Sequence, residues 1–259
     1  MQKRTFFLSV VSTLLLFACG GGNEGGLPPG AGGGATGGGP AYDASTATAR
    51  LNGNIMFEGE VPEMPPIQMA ADPFCLSHAE NARSQEVLVT DESKLHNVLV
   101  YVRSGHEGPS YATPSQPVVV NQENCTYSPH TFTMMVNQDL TVLNSDETLH
   151  NIHGFSEVNP QFNVGQPIQG MESTTQFAQE EIFPLRCDVH RWMNAYVGVF
   201  EHPFHTTSGD TGTFSISLPP GTYEIVAWHE RYGEQVATIE IAVGENDHDF
   251  TFVAETAAD

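Results

Sequence analysis

Cys187-Asp-Val-His190-Arg-Trp-Met193 places a thiol, an imidazole and a thioether in one short stretch, spaced C-x2-H-x2-M. A thiolate and two imidazoles in a plane, with a weak and distant thioether, suit copper. The set lies between the geometries preferred by the two oxidation states, so one electron moves with little rearrangement. The second imidazole must come from elsewhere. Asn144-Ser-Asp-Glu-Thr-Leu-His150-Asn151-Ile-His153 supplies it as His150, after a strand-like run and a turn. The candidate metal ligands are therefore His150, Cys187, His190 and Met193. His153 lies three residues along a strand from His150, so it faces the other side of the sheet and is not a ligand. Taken singly, each residue has a plainer reading: Cys187 as a small buried hydrophobe, the histidines as hydrogen-bonded sheet residues, Met193 as core filler beside Trp192. Their order and spacing as a set favour the metal.

The elements that must position these groups read as strands throughout. Phe132-Thr-Met-Met-Val136 and Asp139-Leu-Thr-Val-Leu-Asn144 precede His150, and Tyr196-Val-Gly-Val-Phe200 follows Met193 directly. Upstream, residues 49 to 61 alternate as a strand with a turn, and Pro62, Pro65 and Pro66 then forbid regular pairing. Glu86 to Thr90 and Leu95 to Val102 are apolar, β-branched runs of strand length, and the Gly/Pro/Ser-rich Ser104 to Pro117 breaks the chain. Ser173 to Ile182 reads as a short helix or a loop. Downstream, Phe214, Ile216 and Leu218 share one face of a strand; a Pro-Pro-Gly turn, the strand Tyr223 to Trp228, and runs at Gln235 to Val243 and Asp249 to Val253 follow. The fold class expected is all-β.

Asn144 six residues before His150, the run His150-Asn151-Ile152-His153, and a C-x2-H-x2-M loop of the shortest kind resemble the amicyanin branch of the cupredoxins. Tyr127-Ser-Pro129 and the two strands after it resemble that family's strands in order. The likeness covers about residues 117 to 202 and implies a Greek-key β-sandwich holding one type 1 copper. It implies that Asn151, beside the first ligand, ties the two ligand loops together, and that the ring edge of His190 reaches the surface and passes the electron. Where the family often has Gly before the strand that leads to His150, this chain has Asn137-Gln138, and Asn supplies the same left-handed turn. Thr206 to Trp228, together with Gly53-Asn54-Ile55, resembles the carboxypeptidase regulatory-like (transthyretin-like) sandwich. Its halves are residues 48–116 and 203–253, each too small for a core of its own, so the cupredoxin unit at 117–202 is inserted in or joined to it.

Lys3-Arg4, the apolar run Thr5 to Phe17 and Leu16-Phe17-Ala18-Cys19 resemble a lipoprotein leader, cleaved after residue 18 with lipid on Cys19; an ordinary secretory signal is the alternative. Gly20 after the cysteine implies an outer-membrane address, periplasmic or surface-exposed. Residues 19–47 form a Gly-rich tether, so the membrane is met through the Cys19 lipid alone. With lipid on Cys19 and metal on Cys187, Cys75 and Cys125 remain as a disulfide pair; pairing either with Cys187 would destroy the site.

The 9 basic against 31 acidic residues give a formal charge of −22. That disfavours nucleic acid as a partner and steers basic partners, such as a c-type cytochrome or a dehydrogenase with a basic docking patch; the acidic residues are scattered, so plain solubility or adaptation to a salty habitat is the favoured account of the total charge. No nucleophile elbow, phosphate loop or H-E-x-x-H motif occurs, so no enzymatic activity is expected. The ligand loop lacks the second cysteine that a binuclear copper centre needs. His202-Pro-Phe-His205 has metal-binding spacing but lacks a third ligand. The function expected is a one-electron carrier, with a binding or adhesion module and a copper store as alternatives.

Overall fold

The computed structural model describes residues 39–78 and 82–254. The leader, Cys19 and most of the tether lie outside the described residues. Among those described, no helix is long and apolar enough to cross a membrane. The fold is all-β, with one short α-helix and one 3-10 turn among the described residues.

The chain opens with β1 (Ala49–Glu58), α1 (Pro73–His78) and β2 (Leu99–Ser104). Nine strands follow: β3 (Val118–Glu123), β4 (Thr126–Ser128), β5 (Thr131–Met135), β6 (Leu140–Asn144), β7 (His150–Gly154), β8 (Phe162–Gln166), β9 (Glu172–Thr175), β10 (Glu181–Arg186) and β11 (Asn194–Phe200). It returns with β12 (His205–Thr207), β13 (Thr213–Leu218), β14 (Gly221–His229), β15 (Gly233–Ile241), β16 (Gly244–Asp247) and β17 (Phe250–Val253).

The first and last strands build two sheets, ordered β13-β1-β16 with β17 also on β1, and β12-β2-β14-β15. Strict alternation on β13 sends Phe214, Ile216 and Leu218 inward to meet Leu51, Ile55 and Phe57 of β1 in one core. The middle strands build two more sheets, β5-β11-β10-β7-β8 and β4-β3-β6-β9, around a second core that includes Val120, Tyr127, Phe177, Phe183 and Val197. Met135 of β5 reaches into the first core, and the buried residues Tyr101, Phe200 and Val226 form a small cluster with partners from both halves. A buried His130–Glu230 contact adds a polar tie between the two.

Two local readings differ from the sequence expectation. Glu86 to Thr90 contributes only the isolated bridge Val89↔Leu95, and Leu95 to Asn97 likewise stays outside β2. Ser173 to Ile182 forms no helix; β9, a loop and the start of β10 occupy it, because Ser173 and Thr175 bury against the second core. Between β1 and β2, Ile67, Met69, Phe74 and Cys75 pack on the second core. The three prolines stop this segment from joining a sheet, and the Cys75–Cys125 disulfide, formed as expected, holds it down on β3 and β4. The turn at Asn137 is left-handed, with φ 59°.

Candidate metal centre

Sheet order brings the ligand candidates to one end of the second sandwich. β10 ends at Arg186 and β11 begins at Asn194, so residues 187 to 193 form the hairpin loop between two antiparallel neighbours. β7 lies on the other side of β10, with His153 opposite Arg186, so the start of β7 carries His150 to the same loop. The loop closes on itself. Cys187 N–H donates to the Met193 carbonyl (3.1 Å), Met193 N–H to the His190 carbonyl (2.8 Å), and His190 N–H to the Cys187 sulfur (3.2 Å). Asn151 fastens this loop to β7, its Oδ1 accepting from Asp188 N–H (2.7 Å), Val189 N–H (3.3 Å) and the Cys187 thiol (3.2 Å).

His150, Cys187, His190 and Met193 are all buried, none more than 2% exposed. The ligand atoms of His150, Cys187 and His190 lie within 4.8 Å of one another, and Met193 packs in the same core as Cys187. Nδ1 of His150 and Nδ1 of His190 face each other at 2.9 Å, and Cys187 Sγ lies 4.0 Å from the latter. Each ring's far nitrogen meets a carboxylate: His150 Nε2 with Asp146 Oδ2 at 2.8 Å, and His190 Nε2 with Asp72 Oδ2 at 3.0 Å. A carboxylate accepts, so each Nε2 carries the hydrogen and each neutral ring turns the lone pair of Nδ1 inward. Two imidazole lone pairs then face each other beside the sulfur, with no hydrogen between them. A proton or a cation resolves that arrangement, and a thiolate with two imidazole nitrogens is a donor set for a soft ion.

Burial alone would raise the Cys187 thiol. The neighbouring His150 and His190 rings and the backbone of Asn151 and His190 outweigh it and bring the thiol down to about 6. The sulfur is thus held ready as thiolate. Asp146 and Asp72 are each pushed up by burial and pulled down further by their donors, so both stay ionised. Asp146 also accepts from Asn124 N–H and Cys125 N–H (2.8 Å each), which cap the turn between β3 and β4. Asp72 caps α1, accepting from Phe74 N–H (2.8 Å) and Cys75 N–H (3.2 Å), with Pro73 at the first helical position.

Asp146→Asn is expected to weaken metal binding by about 10- to 100-fold, the usual cost of removing the group that fixes a ligand imidazole. Competition against a chelator of known affinity checks it. Unchanged affinity would mean that His150 needs no carboxylate behind it.

One expectation is corrected. His190 does not present a ring edge to solvent: it is 2% exposed, because Asp72 and Cys75 of the disulfide-held cap lie over it, with Cys75 Sγ 3.7 Å from Nε2. Sequence reasoning missed Asp72 and Asp146. Asp146 stands four residues before His150 in a turn, a signal that was present. Asp72 had only the expected Cys75–Cys125 bridge to bring it near. His153 points outward to Asp188 (3.1 Å). His202 and His205 lie in the seam between the cores, His202 against His106 with ring centroids 4.1 Å apart, and among the described residues three ligand atoms do not converge there. His202 is buried, its Nδ1 accepting from Phe204 N–H (3.0 Å).

Copper proteins are among the solved structures similar to part of the chain. A copper-containing nitrite reductase from Thermus scotoductus SA-01 is 17% identical over 39% of this chain and 25% of its own, with a TM-score of 0.31. A purple cupredoxin from Nitrosopumilus maritimus is 22% identical over 32% of this chain and 98% of its own (TM-score 0.28). A mutant of amicyanin in its Cu(I) form is 16% identical over 39% and 97% (TM-score 0.30). The chain thus spans about a quarter of the reductase and nearly all of the other two. No protein-family profile matches the chain, and no curated protein does.

Proposed function

We propose that this protein binds one copper ion as a type 1 centre through His150, Cys187, His190 and Met193, and carries single electrons. The observation that carries the reading is the convergence of two imidazole lone pairs and a thiol whose far-side partners are already fixed. Copper, when bound, supplies a one-electron couple. The chain's own residues do the rest. Asn151 and the loop's backbone bonds hold the sulfur, Asp146 and Asp72 hold the rings, and the cap keeps water from His190. Rigid ligands mean little rearrangement on electron transfer, and two fixed negative charges favour the more positive ion. A lowered reduction potential follows from those charges.

The wider reading places an amicyanin-like cupredoxin unit at 117–202 in a transthyretin-like sandwich of 48–116 and 203–253. The whole is tethered through lipid on Cys19 to the outer membrane, facing the periplasm or the surface, with no enzymatic activity of its own. The strongly acidic surface suits a redox protein with a basic docking patch, such as a c-type cytochrome or a dehydrogenase.

One observation favours a second reading: His190 lies under a cap, as it would in a protein that stores or delivers copper. Voltammetry of the copper-loaded protein separates them. A reversible one-electron wave with fast exchange supports the carrier; tight Cu(I) binding with no reversible wave supports storage.

A further inference from the structure

With His190 covered, the electron needs another way to the surface, and Trp192 marks one. Its ring centroid lies 5.0 Å from that of His190, and its Nε1–H donates to the Cys125 carbonyl (3.1 Å), which pins the indole. Trp192 is only partly buried, and with Pro65, Pro66, Ile67, Arg186 and Arg191 it lines a groove of about 970 Å³ beside the ligand loop.

The charge of this groove is opposite to that of the chain. Of the seven Arg and Lys among the described residues, Arg83, Lys94, Arg103 and Arg231 are ion-paired to carboxylates. Arg186 and Arg191 make no ion pair, and both are exposed at this groove. Arg186 is held in place without a counter-ion: its guanidinium lies over the Phe155 ring at 5.1 Å. Asp188, the one carboxylate of the lining, is turned to His153 (3.1 Å) and Asn163 (2.6 Å). Two guanidiniums beside an indole and a proline wall match a flat ring bearing a carboxylate, which guanidinium pairs geometrically and proline and indole faces accept.

We propose that the groove is a binding site for a small planar aromatic carboxylate, its carboxylate paired with Arg186 and Arg191 and its ring laid against Trp192, one indole away from His190. The proposal gives the electron-carrier reading a contact point and rests on that reading for its purpose. The binding itself needs no copper.

The test is therefore made on the copper-free and Cu(I)-loaded protein in parallel, with 4-hydroxybenzoate as probe and the Trp192 indole N–H resonance as readout, assigned by Trp228→Phe. Saturable shifts are expected in both forms, weaker by at least about tenfold when the two charge-assisted pairs are removed in Arg186→Gln/Arg191→Gln, with folding checked by circular dichroism. Benzamide, the neutral counterpart, is expected to bind equally weakly. Four results would each overturn the proposal: no saturation, binding unchanged in the double variant, inorganic phosphate binding as well as the probe, or hexaglutamate binding more tightly, which would assign the groove to an acidic protein partner. Loss of the copper signal with probe binding intact would instead sink the carrier reading and leave the site standing.

Discussion

Replacing Cys75 and Cys125 together by alanine is expected to cost about 4 kcal/mol of stability, the chain-entropy value for a closed loop of this size. The bridge spans a sequence separation of 50, and both cysteines are fully buried. In a domain of about two hundred residues, that loss corresponds to a fall of about 10 °C in the unfolding midpoint. The same change reaches the metal centre. Cys75 anchors α1, Asp72 caps α1, and Asp72 holds the Nε2 of His190, so a loosened cap frees the ring and admits water. Faster metal loss to a chelator is expected alongside the lower midpoint. A double variant that unfolds as the wild type does, with an unchanged off-rate, would show that the cap is held by its packing alone.

The second large effect is acid sensitivity above the carboxylate range. Burial, with the neighbouring His106 and His205, brings His202 down to about 3; burial, with His130 near, brings His229 down to about 4. Both are buried, His202 at 1% and His229 at 0% exposure, and His229 Nε2 has no partner while its Nδ1 accepts from Arg231 N–H (3.1 Å). A histidine whose folded-state value is depressed stays neutral in the fold while the unfolded chain takes the proton. Its stabilising effect is therefore complete above about pH 6.5 and is lost as the pH falls toward its folded value. Each such residue costs about 1.4 kcal/mol per pH unit in that window. Burial brings His205 down to about 4 as well; His150 works the other way: burial lowers it, but Asp146 and the Cys187 sulfur outweigh that and raise it, so it partly offsets the depressed histidines. Urea midpoints at pH 7.5, 6 and 5 are expected to fall steadily. His202→Phe is expected to be less stable at pH 7.5, since Phe204 N–H loses its acceptor, yet to show a shallower fall. A flat profile in the wild type would mean that these rings are not neutral in the fold.

What the sequence made legible follows from how local the signal is. C-x2-H-x2-M gives three donors on one hairpin loop, and β7 could be placed because an apolar run, a turn and His150 follow in order. Alternation in Thr213–Leu218 assigned Phe214, Ile216 and Leu218 to one face, and they bury together. The cap was not legible. Residues 62 to 78 carry prolines and no period, and their place over His190 is set by one covalent bond and one aspartate 76 residues from its partner Thr148 (2.8 Å). The expected exposure of His190 failed for the same reason, since the covering segment precedes every motif that pointed to the site. Glu86 to Thr90 shows the limit of propensity: β-branched composition gave it strand character, but its neighbours leave it only one bridge partner.

The most direct measurement loads the protein with Cu(II) and compares its visible absorption and electron paramagnetic resonance with those of Cys187→Ser. An intense thiolate-to-copper band with narrow hyperfine splitting, bleached by reductant and absent in the variant, is the predicted result. A wild-type protein that shows no such band while Cys187 still titrates as a free thiol would contradict the copper centre at its root.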